Sequence, residues 1–330
     1  MSRKKNILHC YSERGICLYD TVEINGIMQY IQVRGENKSA PLLLFLHGGP
    51  GGSMAGLCHI MQSEWEKNFM VVNWDQRNTC KTYLANKNNA AAIAQSGSIS
   101  DYMADIDAVI DYLHTIYDFE KIILVGFSWG SLIGAEYAKT HGDRVSHYIG
   151  IGQHIHYIDG LQYSCEWLKD AAKDSASDIN KIQRFLDNIP QPPEMNATFL
   201  RSLQGFSMLG AKYIAKDGRP FPLKDLLTSP FLNLSEKMSM LRSDPKLFTG
   251  TYHTLMNHDF RKNLHFDMPV LFVSGDEDFV CPNQLLERCF DDISAPFKKI
   301  AVIPKATHLC FYDQPTVFLK EITEFINITM

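Results

Sequence analysis

The residues best suited to do chemistry begin with Gly126-Phe-Ser-Trp-Gly130. A serine hydroxyl is a poor nucleophile near neutral pH, and it becomes useful when held on a tight turn beside a base. The G-x-S-x-G spacing has a steric cause. A strand-to-helix elbow strains its central residue, and side chains two positions either side would collide across it. The pentapeptide alone also arises by chance, so its flanks decide the reading. Before it, Ile122 to Val125 is an unbroken aliphatic run that reads as a buried strand. After it, Leu132, Ile133, Ala135 and Ala138 follow a helical pattern. The local expectation is strand, elbow, helix, with the Ser128 hydroxyl exposed above a sheet.

A serine nucleophile needs an imidazole to take its proton and a carboxylate to orient that imidazole. Late in the chain, Asp276, Glu277 and Asp278 crowd the exit of the apolar segment Met268–Gly275. The next strand, Lys299–Ile303, runs into Pro304-Lys-Ala-Thr-His308. His308 is the only histidine after His265, which makes it the base by elimination. The residues themselves leave the acid open among 276, 277 and 278. A third cluster, His47-Gly-Gly-Pro-Gly-Gly52, leaves the apolar strand Pro41–Leu46. Bare glycine N–H groups there can form half of an oxyanion hole, although a plain tight turn has the same composition. The lysine and Ser/Thr of a phosphate loop are missing. His47 reads as a packing or hydrogen-bonding residue.

The elements that must position these groups follow from periodicity. Residues 17–34 read as a hairpin around Asn25-Gly26. Strands are expected at 41–46, 69–74, 122–125, 145–152, 268–275 and 299–303, with helices from Ser100-Asp101, after Ser128, and from about Pro315. Asp75-Gln-Arg77, at a strand exit, is expected to lock a loop. Residues 78–98 read as a loop with one short helix. This alternation predicts an α/β fold with a mostly parallel central sheet covered on both faces. Between 153 and 264 strand signals vanish and helices are expected near 162–173, 178–188, 197–215 and 231–242. Breaks fall at 190–193 and 218–222. Residues 1–152 and 265–330 therefore read as two parts of one core, and 153–264 as an inserted all-helical cap. The aromatic and methionine residues of that insertion, Met208 and Met238 among them, are expected to form its own core.

Composition narrows the function classes. The chain has 330 residues, 45% hydrophobic and 21% charged, with net charge −5 and no basic block. That argues against nucleic-acid binding. No apolar run approaches membrane-spanning length, and the basic N-terminus lacks the apolar stretch of a signal peptide. Eight cysteines stand singly, which suits reduced thiols. The expected location is cytoplasmic. No His/Cys/Asp cluster has ligand spacing, so no metal or cofactor is called for. Nothing in the sequence sets an oligomeric state.

Taken together, His47-Gly-Gly-Pro-Gly-Gly52, Asp75-Gln-Arg77, Gly126-Phe-Ser-Trp-Gly-Ser131, Gly275-Asp-Glu-Asp278 and Thr307-His308 resemble the α/β-hydrolases of the prolyl aminopeptidase (proline iminopeptidase) group. The order Ser, Asp, His along the chain is that of α/β-hydrolases. The resemblance implies an α/β-hydrolase fold and picks Asp278 as the acid. It implies an oxyanion hole from the Trp129 amide with that of Gly49 or Gly48. It also implies release of N-terminal proline or small apolar residues from short peptides. Asn78 and Cys80 replace two glycines usual after Asp-Gln-Arg in the group, so this loop is expected to take a different path. Family aminopeptidases read a free α-amino group with acidic cap residues. Glu166, Asp170, Glu194, Asp225 and Glu236 are available, but no motif assigns the role. Glu166 and the neutral Gln153, just beyond a core strand, are the substrate-binding candidates. A carboxylesterase or amidase on small molecules is the alternative, followed by a non-catalytic binding protein on the same fold. Serine at the elbow disfavours the dehalogenase and epoxide hydrolase branches, which use aspartate there.

Overall fold

The computed structural model describes residues 14–190, 194–214, 219, 221–241 and 244–330. The N-terminal basic stretch and most of the two expected breaks in the helical segment lie outside them. Strands β1 (Ile16–Ile24) and β2 (Ile27–Gly35) form the antiparallel hairpin, and Asn25 and Gly26 turn it at φ 50° and 76°. Both values are left-handed, as an Asn-Gly turn requires. The chain continues through β3 (Leu42–Leu46), α1 (Cys58–Met61), β4 (Met70–Asp75), α2 (Cys80–Ala85), α3 (Ala90–Gln95) and α4 (Ile99–His114). Then come β5 (Ile122–Phe127), α5 (Trp129–Ala138) and β6 (Val145–Ile151).

Helices alone follow: α6 (Tyr157–Ala171), α7 (Ala176–Asp187), α8 (Ala197–Ile214), α9 (Leu223–Thr228), α10 (Leu234–Leu241) and α11 (Thr249–Asn257). The sheet resumes with β7 (Val270–Gly275), α12 (Asn283–Phe290) and β8 (Lys298–Ile303). The chain closes with α13 (Cys310–Asp313) and α14 (Pro315–Thr329). The eight strands form one sheet in the order β1-β2-β4-β3-β5-β6-β7-β8. β2 is antiparallel to both its neighbours, and every pair from β4 to β8 is parallel.

Burial on both faces explains the unbroken aliphatic strands. Leu42, Leu44 and Leu46 of β3, with Ile122 and Leu124 of β5, face a core shared with Ile106, Ile110 and Leu132 of α4 and α5. The alternate residues Leu43, Phe45, Ile123 and Val125 face the opposite core, with Trp65, Phe311 and Phe318. Each such side chain contributes about 1.5–3 kcal/mol by leaving water. The inserted helices have a core of their own, built from Ile158, Leu168, Ile182, Phe185, Phe199 and Phe206. Met208 and Met238 do not join it, being 77% and 48% exposed. Met208 sits two residues beyond Phe206, and that step turns it to the far side of α8.

Boundaries differ from expectation where caps and short helices decide them. Helix α4 begins at Ile99, because Ser98 and Asp101 cap it reciprocally, each side chain accepting from the other's backbone N–H. Residues 78–98 hold two short helices instead of one. Helices α9 and α11 fall outside the expected set, since six and nine residues leave little periodicity to read. Among the described residues no helix is long and apolar enough to cross a membrane.

Candidate active site

Ser128 is the single residue between β5 and α5, with φ 53° and ψ −117°. A positive φ on a non-glycine residue costs about 1–3 kcal/mol and persists only where the surroundings enforce it. Here three hydrogen bonds do so. The Ser128 N–H donates to Ile151 O at 2.9 Å, and the Ser131 N–H and hydroxyl donate to Ser128 O at 2.9 and 2.6 Å. The flanking glycines follow from backbone proximity. A Cβ on Gly130 would lie 2.0 Å from Leu46 O, and one on Gly126 would lie 2.5 Å from Gly130 O.

His308 reaches this point from the loop after β8. Its Nδ1 lies 2.8 Å from Asp278 Oδ2, and its ring is 4.8 Å from that of Phe127, the residue before the serine. The Asp278 side chain is 1% exposed, and its other oxygen accepts from the Val280 and Cys281 N–H groups at 2.9 and 2.8 Å. A neutral ring that donates from Nδ1 to a carboxylate keeps its Nε2 lone pair available. Asp276 has a different job. It accepts from the Lys305 and Ala306 N–H groups at 3.0 and 3.1 Å, fastening the loop that carries His308. Glu277 borders a separate depression with Tyr163 and Trp167. Of the three neighbouring acids, Asp278 is the one in contact with the histidine.

The glycine loop is tied to the elbow through Gln76. Its amide donates to His47 O at 3.1 Å and accepts from the Trp129 indole N–H at 2.9 Å. The His47 ring lies 2.8 Å from Gly48 O through Nδ1 and accepts the Gln76 N–H at Nε2, 3.2 Å away. Burial pushes its pKa down to about 4, so it stays neutral as a structural bridge. Asp75 accepts from the Ser53 hydroxyl and from the Lys81 N–H. Burial pushes its carboxyl up to about 6. Arg77 pairs with buried Asp105 at 2.8 Å. The Asp75-Gln-Arg77 stretch thus fastens loops around the site.

Trp129 opens α5, so its backbone N–H has no acceptor within the helix. Gly49 lines the same cavity as Ser128 and Trp129, and a Cβ on Gly48 would lie 3.1 Å from Ser128 Cβ. Both glycines are therefore close to the serine. At the two positions where the group usually has glycine, Asn78 and Cys80 both adopt a left-handed backbone, at φ 55° and 35°. The Asn78 amide enforces it by donating to Ala90 O and Leu247 O at 2.9 and 2.7 Å.

The cavity above Ser128 is walled by Ile155, Leu161, Leu203, Phe206, Leu255 and Phe279 from the loop after β6, the inserted helices and the loop after β7. Among the described residues lining it, none is a carboxylate. Gln153 borders it, but both amide hydrogens are engaged with Ser131 O and His154 O, and its carbonyl accepts from Tyr148. It acts as a brace and offers no free hydrogen to a substrate. Glu166 does not border the cavity. On α6 the lining residues are Tyr157, Gly160, Leu161 and Ser164, and Glu166 points to solvent from the opposite side of the helix. Asp170, Glu194, Asp225 and Glu236 do not line it either, and Glu236 pairs with Lys81 at 2.9 Å. His154, which the sequence places beside Gln153 at the C-terminal end of a core strand but gives no role, also borders the cavity.

Comparison with known proteins agrees with this architecture. A family model described as the alpha/beta hydrolase fold matches residues 41–315. The curated "Probable aminopeptidase YbaC" of Bacillus subtilis is 23% identical over 94% of this chain and 96% of its own length. "Proline iminopeptidase" of Neisseria gonorrhoeae is 29% identical, over 38% of this chain and 36% of its own. The crystal structure of a proline iminopeptidase from Mycobacterium smegmatis superposes with a TM-score of 0.67 at 18% identity, covering 94% of this chain and 98% of that one. With a strained serine elbow on a mostly parallel sheet, and a family match across most of its length, this chain belongs to the α/β-hydrolase fold family.

Proposed function

We propose that the protein is a serine hydrolase that cleaves an ester or amide bond through an acyl-enzyme, on substrates whose body is apolar and uncharged. The observation that carries this reading is the 2.8 Å contact between His308 Nδ1 and buried Asp278, on a loop that packs against the elbow of Ser128. Ser128 Oγ adds to the carbonyl carbon as its proton passes to His308 Nε2, and Asp278 stabilises the imidazolium. The Trp129 amide and that of Gly49 or Gly48 receive the oxyanion. His308 returns the proton to the departing alcohol or amine. Water then repeats the sequence, forming the free acid and restoring Ser128. The carboxylate-free lining supports a neutral substrate, because burying an ammonium group without a counter-charge is costly.

A second reading, an aminopeptidase releasing N-terminal proline or small apolar residues, is favoured by the names of the relatives and by Asp244. That carboxylate lines a groove beside the cavity, and Gly49 and Tyr252 border both. The test compares a proline arylamide, its N-acetyl form and a medium-chain aryl ester, together with labelling by a fluorophosphonate. The main reading expects labelling that is lost in Ser128→Ala, and ester turnover exceeding that of the free-amine arylamide. Preferred cleavage of the free-amine substrate, abolished by Asp244→Asn, would establish the second reading. Well-folded protein that neither labels nor turns over any of the three would leave a binding protein on this fold.

A further inference from the structure

His154 is 6% exposed, and neither nitrogen of its imidazole has a hydrogen-bond partner among the described residues. It borders the cavity above Ser128. Its backbone is held firmly, since the His154 N–H donates to Ser131 Oγ at 2.9 Å and that hydroxyl donates to Ser128 O. The ring therefore hangs from the same bonds that fix the nucleophile. The His258 ring stands 5.8 Å from it and the Tyr157 ring 6.5 Å, and the apolar Ile155 and Leu255 line the same cavity. The His258 Nε2 faces Glu136 at 3.2 Å.

Buried polar side chains are nearly always paired, and an unpaired one forfeits its hydration without return. Water can fill that role while the cavity is empty. When an apolar body enters, the water is displaced and the ligand has to replace its hydrogen bond. A neutral imidazole presents one donor and one acceptor. A hydroxyl also donates and accepts, whereas an ammonium only donates and a carboxylate only accepts. We propose that His154 selects the substrate by pairing with a hydroxyl group carried on its apolar body. This inference rests on the hydrolase reading for the identity of the ligand as substrate. It adds that the preferred esters or amides are hydroxylated.

The test uses 4-nitrophenyl octanoate and its 3-, 5- and 7-hydroxy congeners, with wild type, His154→Leu and His154→Asn. In wild type at least one hydroxylated ester is expected to exceed the plain ester in kcat/KM by about 10- to 100-fold. That ratio should fall to about 1 in His154→Leu and recover in part in His154→Asn, whose amide again donates and accepts. His154→Phe serves if the leucine variant does not fold. A wild type with no preference at any position, or a preference that survives in His154→Leu, overturns the proposal. If no ester is turned over, the reading of an ester-cleaving enzyme fails by itself. The same ratio is then read as relative Kd by calorimetry on Ser128→Ala, with and without His154→Leu, under the same two criteria.

Discussion

Gly152 lies directly against His308. A Cβ on Gly152 would meet His308 Cε1 at 3.0 Å and Asp278 Oδ2 at 3.1 Å, and the backbone there sits at φ 52°. The Gly152 N–H donates to Val273 O at 2.8 Å, so the strand end cannot slide away. Gly152→Ala is therefore expected to displace the histidine. We expect kcat to fall by at least about 10²-fold and stability by about 1–2 kcal/mol. Steady-state kinetics, fluorophosphonate labelling rate and thermal melting read the two effects separately. Normal kcat in a folded variant would mean that the His308 position matters little.

The neighbouring acids should separate cleanly. Asp278→Asn keeps the shape of the side chain but presents the wrong partner to Nδ1, and kcat is expected to drop about 10⁴-fold with the fold intact. Asp276→Asn retains one acceptor for the Lys305 and Ala306 amides, so its effect should stay within about 10-fold and appear mainly as lower thermal stability. The reverse pattern would transfer the orienting role to Asp276.

Gln76 is expected to act through the groups it joins. Gln76→Leu leaves His47 O and the Trp129 indole N–H without the amide, at about 1–3 kcal/mol, and lowers kcat by loosening the glycine loop. Trp129→Phe breaks the same link from the other side. The double variant should cost less than the sum of the two singles, by denaturant unfolding. Strict additivity would show that the link is unimportant.

His154 gives a stability signature that needs no substrate. Burial, chiefly, with the neighbouring His258 and His156 in support and Asp259 opposing, pushes its pKa down to about 3. The unfolded chain takes up this proton below about pH 6.5, whereas the folded chain does not. A depressed histidine therefore contributes stability that is intact above pH 6.5 and is lost as pH falls toward 3. His154→Leu should remove this loss. Between pH 7 and pH 5 the variant is expected to lose about 2 kcal/mol less than wild type. His47 and Asp75 titrate over the same range in both proteins and cancel in the comparison. Equal acid sensitivity would place the ring in a wetter setting than its burial implies.

Much of this was legible in the sequence because some positions admit few residues. The glycines at 126 and 130 mark places where backbone meets backbone, and the unbroken run Ile122 to Val125 marks a strand buried on both faces. His308 stood out because few histidines remain late in the chain. Other features depend on contacts that no local pattern records. Gln153 and His154 occupy adjacent positions of equal promise, and only the Tyr148 hydroxyl and Ser131 carbonyl show which side chain is engaged. Glu166 could be placed on a helix but not on one of its sides. Cys80 looked incompatible with a left-handed backbone, yet it adopts one, with Asn78 two residues earlier anchored to Leu247.

The inserted helices leave the sheet after β6 and return to it at β7, two strands that are parallel neighbours. The two ends of the insertion are close together, with the Phe260 N–H donating to Ile155 O at 2.9 Å and His156 bridged to Asp259, as in a cassette spliced between fixed terminals. Such a segment can grow, shrink or be rebuilt by mutation while the strand register beneath it stays put. Inheritance of the reacting groups and turnover of the walls around them can then proceed at different rates. For this chain, sequence drift between residues 157 and 257 should alter what is accepted long before it alters how a bond is broken.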